Sequence, residues 1–415
     1  MSKVLNVLAS VYACGPEWGS EVGMGWNWVR SLSKQCRLTV ITESGFRESI
    51  ERAGTAPFEG GYVPEFHYID IGPTARDYFW RQGAWRFYPH YRRWQEQAFE
   101  LAEKLLMEKE FDLVHQLNMV GYREPGYLWR LPMEIPLVWG PFSGFNNPPK
   151  TFYPSLGMRS GTKCMLKNII NLVQRRYMQR VQNMLGRANA LVAATPADRR
   201  IVSMLCGRSS MLIPETGVSQ LSPSVHAPEK TLKVAWCGVF EARKALDLGL
   251  RALAELKRRN VKIKLTIIGS GGLEKSWRNL ARRLGVDKMC EWTGKVDHDT
   301  CLDIMAKQDI FMFTSWLEAS STVVMEALSL GLPVVCHDAC GMAAAVTGKC
   351  GIKIPIEKPD VSVSGFANAL ENLANSPEKV KELSVGAAER ATELTYENAA
   401  ARMVKLYQVV LEDKR

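Results

Sequence analysis

The sequence lacks a long uninterrupted apolar segment. A helix that crosses a bilayer needs about 18 consecutive apolar residues, and no run in the 415 residues reaches that length. The apolar segment 4–13 is interrupted by Asn6 and Ser10, and no clear cleavage site follows it. We therefore interpret it as a buried first strand and not as a signal peptide. Short-period repeats and low-complexity tracts are missing too, so the chain is expected to form ordinary globular domains.

Cysteines with metal-binding spacing are also missing. The ten cysteines are scattered without a repeated spacing, and Cys237 and Cys336 lie in apolar runs, where a thiol behaves as a small hydrophobe. Cys336 and Cys340 are four positions apart, but no second pair or histidine completes a zinc set. We predict reduced thiols in a cytoplasmic protein that holds no metal and no cofactor.

Acidic residues are absent from the segment between Glu134 and Asp198, although it contains eight cations. These cations are Lys150, Arg159, Lys163, Lys167, Arg175, Arg176, Arg180 and Arg187. A second basic segment, rich in aromatic residues, covers 76–94, and the net charge of the chain is +10. Such regions attract anions. They are either solvated helix faces or a docking surface for an anionic, lipid-linked molecule at the inner face of the membrane. Nucleic acid is disfavoured, because no recognised binding module accompanies the charge.

Strand-like and helix-like segments alternate along both halves of the chain. Short, mostly apolar segments, of which 4–11 and 38–42 are rich in β-branched residues, predict strands at 4–11, 38–42, 113–115, 137–139, 191–195, 234–237, 265–268, 310–313 and 333–336. This alternation predicts an α/β protein with two Rossmann-like, doubly wound parallel sheets, each covered by helices on both faces. A cleft is expected where the carboxyl ends of the strands meet.

The predicted domain boundary is the polar, proline-bearing segment 219–230, which shows no periodicity. It separates an N-terminal domain (1–218) from a C-terminal domain (231–393). A last helix over 394–415 could cross back to the N-terminal domain.

An amphipathic helix is predicted over residues 166–185. Its apolar residues fall on one stripe, and its arginines lie elsewhere. The stripe consists of Leu166, Ile169, Ile170, Val173, Tyr177, Val181 and Met184.

The strongest chemical signal is the segment 314–335. A strand ends at Phe313, a loop carries Glu318, and small hydroxyl residues open a helix that bears Glu326. Gly331 and Pro333 end that helix. The first amides of the helix form an anion site, strengthened by the positive end of the helix dipole. These amides belong to the residues Ser320, Ser321, Thr322 and Val323. Two carboxylates beside a phosphate site suit sugar hydroxyls on either side of a nucleotide-sugar diphosphate.

The spacing of Glu318 and Glu326, followed by the Gly-Leu-Pro-Val-Val motif at 331–335, resembles the paired-glutamate motif of retaining GT-B glycosyltransferases. It is similar in particular to glycosyltransferase family 4 (group 1), which transfers sugars from nucleotide donors with retention of the anomeric configuration. The resemblance implies that residues 1–218 form the acceptor-side domain and residues 231–393 the nucleotide-sugar-binding domain. It also implies that Glu326 holds the donor ribose and that Glu318 meets the transferred sugar.

A basic pair in the loop after strand 234–237 also resembles the family. Lys244 matches the lysine that neutralises the donor diphosphate. Two positions depart from the usual pattern, since Val239 stands where many members have arginine and Ala245 stands where they have glycine. The resemblance leaves Arg243 as the residue that could supply the missing charge. Gly269 opens a short glycine-rich turn that matches the family's donor-binding loop.

In the N-terminal half, Gly19 and Ser20 resemble the glycine-rich first loop of the family, whose amides would face the donor phosphates. A bare turn is the alternative interpretation. His115 and Asn118 lie at the end of a strand in a region that, in the family, contacts sugar and acceptor. His115 is therefore a catalytic candidate, although a buried histidine with satisfied hydrogen bonds is the competing interpretation.

The segment Asp297-His298-Asp299 has the form of the metal-binding DxD motif of another glycosyltransferase fold. It lies here in a polar loop of a different architecture. We assign it to solvent and expect no metal.

The predicted function is transfer of a hexose-type sugar from a UDP- or GDP-sugar to a glycan or a lipid-linked acceptor, in the biosynthesis of a cell-surface polysaccharide. Two alternatives remain. One is a non-catalytic GT-B module that binds a glycan or a nucleotide. The other is a Rossmann-type oxidoreductase, although neither half shows the cofactor fingerprint, with its acidic residue on the following strand, that a dinucleotide site would require.

Overall fold

The computed structural model describes residues 3–72, 87–119, 121–154, 158–228 and 230–413. Most of the basic and aromatic segment at 76–94 therefore lies outside the described residues.

Contacts divide the chain into two compact units. The first unit contains Met1–Asn146, Ile170–Glu215 and Tyr396–Arg415, and the second contains Asn147–Ile169 and Thr216–Thr395. The segment 147–169, which the sequence analysis placed in the N-terminal domain, thus clusters with the second unit.

The first unit is built on a seven-stranded sheet in which every pair of neighbouring strands is parallel. Its strands are β1 (Asn6–Val11), β2 (Arg37–Glu43), β3 (Glu65–Ile69), β4 (Leu113–Asn118), β5 (Leu137–Phe142), β6 (Ala190–Ala193) and β7 (Met211–Leu212). Their spatial order is β3-β2-β1-β4-β5-β6-β7. All six residues of β4 and of β5 are buried, as expected for central strands covered by helices on both faces.

Among the described residues, the helices up to the end of β7 are, in chain order, α1 (Ser20–Leu32), α2 (Arg47–Ala53), α3 (Phe87–Glu108), α4 (Met158–Tyr177), α5 (Gln179–Arg187) and α6 (Pro196–Cys206).

The second unit carries a six-stranded parallel sheet with the order β10-β9-β8-β11-β12-β13. The strands are β8 (Leu232–Cys237), β9 (Ile263–Ile268), β10 (Cys290–Gly294), β11 (Ile310–Phe313), β12 (Val334–His337) and β13 (Gly351–Ile354). Its helices are α7 (Leu246–Arg258), α8 (Glu274–Arg283), α9 (His298–Met305), α10 (Thr322–Ser329), α11 (Met342–Ala345), α12 (Pro359–Ala374) and α13 (Pro377–Glu393). The last helix of the chain, α14 (Tyr396–Glu412), belongs to the first unit.

Both sheets are doubly wound, so the predicted fold class is confirmed. In each sheet the chain starts in the middle, runs to one edge, and returns to the other side of the first strand. The order therefore reverses between β1 and β4 in the first unit and between β8 and β11 in the second. Ligands of open α/β sheets bind at such switch points, outside the carboxyl ends of the strands.

The helix predicted over 166–185 is in fact two helices. Helix α4 ends at Tyr177, and Met178 adopts an extended conformation (ψ 110°) before α5 begins. The Gln182 side chain donates to the carbonyl oxygen of Arg175 (2.8 Å), which satisfies an acceptor at the end of α4. The predicted stripe is split as well, since Val181 and Met184 of α5 are buried whereas the stripe residues of α4 are exposed.

None of the helices in the described part of the chain combines the length and the apolar character needed to cross a bilayer.

Candidate functional site

The loops that follow β8 and β11 are joined at the switch point of the second unit. Thr314, the first residue after β11, donates its hydroxyl to the carbonyl oxygen of Lys244 (2.8 Å) and accepts a hydrogen bond from the Trp236 indole (2.9 Å). Strand β8 carries Trp236, and the loop after it carries Lys244. These bonds fix the backbone around Lys244 against the end of β11, so the predicted diphosphate-binding lysine lies at the switch point.

The Glu318 carboxylate lies against two cations. Its Oε1 is 2.7 Å from Lys244 Nζ and 2.6 Å from Arg243 Nη1, and it accepts a hydrogen bond from the Ser315 hydroxyl (2.8 Å). The Lys244 and Glu318 side chains are each 11% exposed. Two charged groups this deeply buried are stable only when they are paired and hydrogen-bonded. The structure thus brings together three residues that the sequence analysis selected separately, and it adds Ser315.

Arg243 bridges two carboxylates. Its Nη2 atom is 2.6 Å from Glu241 Oε1, whereas its Nη1 atom contacts Glu318. The formal charges of Lys244, Arg243, Glu241 and Glu318 sum to zero, so an incoming diphosphate would have to compete with the two glutamates for the cations. Val239 is exposed and contributes no charge.

Two backbone features shape these loops. Ala245 adopts a left-handed conformation (φ 47°) just before α7, which is the conformation that favours glycine. That conformation explains why glycine would suit this position. Gly269 also has a positive φ (132°), and a Cβ atom there would lie 2.1 Å from the carbonyl oxygen of Gly238. Gly269 therefore allows the turn after β9 to approach the loop after β8, a packing role in addition to the predicted role in donor binding.

Helix α10 begins where its sequence predicts. Ser321 is its N-cap residue, with an extended backbone and no capping bond from its side chain. Ser320 and Ser321 are buried, Thr322 is exposed and Val323 is half-buried. The first helical residues, Thr322 and Val323, present their amides at the carboxyl end of β11, the geometry that suits an anion at a helix N-terminus.

Glu326, on α10, has a partner that the sequence analysis assigned to solvent. His298 Nε2 lies 2.9 Å from Glu326 Oε1, and His298 Nδ1 lies 3.5 Å from Asp299. The hydrogen bond with Glu326 raises the pKa of His298 to about 9. Beside this pair, the Sγ atoms of Cys237 and Cys301 are 3.5 Å apart. The predicted ribose-binding carboxylate therefore lies in a small cluster of titratable groups.

Asp297, the first aspartate of the DxD-like segment, caps helix α9. Its carboxylate accepts from the Thr300 amide (2.9 Å) and the Thr300 hydroxyl (2.6 Å). These two bonds lower the pKa of Asp297. An aspartate in this position is explained by the capping of the helix.

We expect the His298–Glu326 contact to be visible in the titration of His298. The NMR midpoint of His298 should lie near pH 9 in the unmodified protein, and in Glu326→Gln it should fall towards the value of about 6.5 for a free histidine. Because the folded-state pKa is the higher one, the pair stabilises the fold fully below about pH 6.5 and loses this effect as the pH rises through about 9. Equal midpoints in the two proteins would rule out the ion pair.

In the first unit, Gly19 and Ser20 lie at the start of α1, in the loop that follows β1. Gly19 is the N-cap residue, and both residues are exposed. Ser20 has a positive φ (53°), and a Cβ atom at Gly19 would meet nothing within 4 Å. The start of α1 is thus open, as the predicted contact with phosphate groups requires.

His115 is fully buried in β4, and both of its ring nitrogens are engaged. Nε2 donates to the carbonyl oxygen of Gly140 (2.7 Å), so Nδ1 accepts from the Tyr407 hydroxyl (2.6 Å). Burial lowers the pKa of His115 to about 4. The ring therefore ties β4 to helix α14 as a neutral imidazole, and we assign it no step in the proposed reaction. Asn118 is buried as well, and its amide donates to the carbonyl oxygen of Ala13 (2.9 Å).

Sequence reasoning missed Ser315 and His298. Ser315 could have been found, because it lies two residues after a predicted strand and three residues before Glu318. His298 lies 28 residues before its partner Glu326. Only the crossover of α9 from β10 back to β11 brings the two together.

Residues 219–390 match the family model of the glycosyl transferases group 1. The group 1 resemblance inferred from Glu318, Glu326 and the Gly-Leu-Pro-Val-Val motif is therefore confirmed for this part of the chain.

Curated relatives carry the names of glycosyltransferases. D-inositol 3-phosphate glycosyltransferase 2 of Catenulispora acidiphila is 28% identical over 250 residues, which cover 55% of this chain and 58% of that protein. D-inositol 3-phosphate glycosyltransferase of Streptomyces griseus is 28% identical over 202 residues, which cover 45% of this chain and 41% of that protein. The chain thus matches about half the length of these relatives.

Solved GT-B glycosyltransferase structures show the same fold over nearly the whole chain. Sucrose-phosphate synthase from Thermosynechococcus elongatus has a TM-score of 0.63 at 14% identity, covering 99% of this chain and 100% of that chain. HepE of Anabaena, solved in complex with UDP, has a TM-score of 0.59 at 14% identity, covering 98% and 100%. At this level of identity the likeness establishes the fold, and the fold is GT-B.

Proposed function

We propose that the chain is a retaining glycosyltransferase of family 4 that transfers a hexose-type sugar from a UDP- or GDP-sugar to a glycan or lipid-linked acceptor. The acceptor belongs to the biosynthesis of a cell-surface polysaccharide, and the enzyme works at the cytoplasmic face of the membrane. The UDP complex of HepE supports a nucleotide-sugar donor.

One observation carries this proposal. Lys244 and Glu318 form a buried pair, with a distance of 2.7 Å between Nζ and Oε1, at the switch point of the second unit. The N-terminus of α10 follows in the same loop, and Glu326 lies on that helix. A cation, a row of amides and two carboxylates are the groups that a sugar diphosphate needs, because phosphates take donors and sugar hydroxyls take acceptors.

The proposed chemistry relies on electrostatic stabilisation. When the bond between the anomeric carbon and the diphosphate breaks, negative charge develops on the leaving phosphate oxygen. Lys244 and the first amides of α10 would stabilise that charge, while Glu318 faces the sugar and Glu326 holds the ribose. Arg243 would add positive charge once the diphosphate has displaced Glu318 from it. The acceptor hydroxyl attacks from the face that the diphosphate leaves and gives its proton to the departing phosphate oxygen, so the anomeric configuration is retained. Preorganised charge and positioning supply most of such an acceleration.

The test is a thermal-shift screen with UDP-, GDP-, ADP- and TDP-sugars, followed by transfer assays with the donor that stabilises the protein. We expect one nucleotide class to raise the Tm and NMR of the product to show the anomeric configuration of the donor. Stabilisation by NAD alone would indicate the oxidoreductase. Binding of a nucleotide sugar without hydrolysis or transfer would indicate the non-catalytic module.

Activity should not require a divalent cation. The groups proposed to neutralise the diphosphate are Lys244, Arg243 and the amides of α10, and Asp297 of the DxD-like segment is engaged as a helix cap. We expect the initial rate in EDTA to equal the rate in magnesium or manganese. Activity that EDTA abolishes and either metal restores would contradict this part of the proposal.

The acid-free segment supports the membrane part of the proposal, but only some of its cations are exposed. Arg175 donates to the carbonyl oxygen of Phe145 (3.1 Å), Arg180 pairs with Glu124 (2.8 Å), and Arg187 is buried. Among the side chains that the structure describes in this segment, the cations left for an anionic surface are Lys150, Lys163, Lys167 and Arg176, which are exposed.

A further inference from the structure

Helix α4 turns polar residues towards the protein. Asn168 and Asn171 are 4% and 3% exposed. The Asn168 amide donates to the carbonyl oxygen of Pro148 (3.0 Å), and Asn171 Oδ1 accepts from the Arg123 guanidinium (2.6 Å) and from the hydroxyl of Tyr122. An amphipathic helix of a water-soluble domain ordinarily buries its apolar stripe. In α4 the polar side is the buried one, and it is fixed by hydrogen bonds.

The apolar stripe of α4 faces outward. Seven of its large hydrophobic side chains are exposed: Met165 (51%), Leu166 (56%), Ile169 (50%), Ile170 (45%), Leu172 (41%), Val173 (52%) and Tyr177 (75%). At 100° per residue they fall within an arc of about 160°. The other exposed large hydrophobics of the described residues are scattered over the chain. A contiguous apolar patch of this kind marks an interaction surface.

Cations accompany this apolar face. Lys163, Lys167 and Arg176 are exposed on α4, and neither the helix nor the chain on either side of it, from residue 135 to residue 197, contains an acidic residue. A second copy of the chain docked symmetrically on this face would place like charges opposite each other, which is unfavourable. An anionic lipid surface satisfies both the apolar and the cationic groups.

We propose that α4 lies in the plane of an anionic bilayer, with its apolar face inserted at the boundary between headgroups and acyl chains. Tyr177 combines an apolar ring with a polar hydroxyl, which suits the interface. Interfacial helices bind through buried apolar area together with attraction to anionic lipid. Lipid insertion by α4 rests on the membrane contact in the proposed function. Because it is measured without donor or acceptor, it succeeds or fails separately from the transfer reaction.

The test is flotation of the full chain with vesicles of phosphatidylcholine, alone or mixed with phosphatidylglycerol. The protein should float with the mixed vesicles and bind the neutral ones more weakly. The variant Ile169→Ser/Val173→Ser should lower partitioning into the mixed vesicles by about tenfold or more, because two inserted side chains are lost. The matched control is Met204→Ser/Val409→Ser, which changes two exposed apolar side chains outside α4 and should leave partitioning unchanged.

A charge variant separates insertion from simple surface attraction. Lys163→Gln/Lys167→Gln/Arg176→Gln should remove most of the salt dependence of binding, while the weak binding to neutral vesicles persists. If the charge variant abolishes all binding and the apolar variant changes nothing, the helix does not insert.

Two further outcomes would also overturn the proposal. A fall of several degrees in the Tm of Ile169→Ser/Val173→Ser would show that the face packs within the fold. Light scattering that shows a dimer in the unmodified protein and a monomer in this variant would identify a second copy as the occupant.

Discussion

Replacing Lys244 with methionine is expected to lower kcat by about a thousandfold, while the Kd of the free nucleotide diphosphate rises by about tenfold. Removal of one preorganised donor to a developing oxyanion typically costs about 10² to 10³ in kcat, and Lys244 supplies a full charge in a largely buried position. The charge on the leaving oxygen is largest in the transition state, so the rate should suffer more than the binding of the nucleotide. Single-turnover kinetics and calorimetry measure the two effects.

The matched control is Lys264→Met. Lys264 pairs with Glu291 at 2.6 Å in the same unit, but both side chains are about half exposed, and their strands β9 and β10 lie on one side of the sheet, away from β11. An exposed pair is worth at most about 1 kcal/mol, so this variant should keep its stability and its kcat.

Unfolding measurements show whether a loss of activity in Lys244→Met reflects only a loss of folded protein. In Lys244→Met, the Glu318 carboxylate keeps its bonds from Arg243 and Ser315, so we expect a loss of only about 1–2 kcal/mol in the free energy of unfolding. If Lys244→Met binds the nucleotide as tightly as the unmodified protein and retains its kcat, then Lys244 does not act on the diphosphate, and the proposed chemistry is wrong.

The sequence predicted the positions of the central strands well, because each of them is a short, mostly apolar and buried run between helical segments. The strand 310–313 was predicted with the bounds that the structure gives it, and the neighbouring strands of the second unit differ by one or two residues. Strand β10 was missed, since only half-buried and exposed residues make it up. An edge strand of this kind lacks the hydrophobic run on which the prediction depends.

The site could be predicted where its residues directly follow strands of the sheet. Glu318 and Lys244 each follow a strand whose carboxyl end reaches the switch point, so topology alone brings them close. The contact between Glu326 and His298 depends on the path of α9 and could not be read from residue spacing. His115 was selected as a site residue because it lies in a central strand near its carboxyl end. The packing of α14 against β4 shows instead that Tyr407 donates a hydrogen bond to Nδ1 of His115, and this packing could not be predicted from the local sequence.

Helix α4 shows what the hydrophobic periodicity of a helix cannot predict. The stripe from Leu166 to Tyr177 predicts an amphipathic helix, and the helix is present. Periodicity identifies an apolar side but not the surface that covers it. In α4 the buried asparagines decide the orientation, and their partners Arg123 and Pro148 are distant in the sequence.

The two glutamates of the motif should respond differently to substitution, and Glu326→Ala is expected to act on nucleotide binding. A contact with the ribose exists in the ground state and in the transition state alike. Its loss should therefore raise the donor KM and the Kd of the free nucleotide diphosphate by about 10- to 100-fold, which corresponds to about 1.5–3 kcal/mol for a hydrogen bond to a charged acceptor. The matched control, His298→Gln, removes the partner of Glu326 but keeps the carboxylate, so its Kd should change by less than about threefold.

Glu318→Gln should have the opposite profile. The substitution keeps the shape of the side chain but removes the charge that Lys244 and Arg243 now share. Lys244 would then lose its carboxylate partner and Arg243 would keep only Glu241, so the Kd of the free nucleotide diphosphate should stay the same or fall. The kcat should drop by about 10² or more, because the carboxylate would no longer face the sugar where positive charge develops. Calorimetry with the free nucleotide is decisive, since this ligand lacks the sugar that Glu318 would contact. If Glu318→Gln loses as much nucleotide affinity as Glu326→Ala, the two carboxylates do not divide the donor between them as proposed.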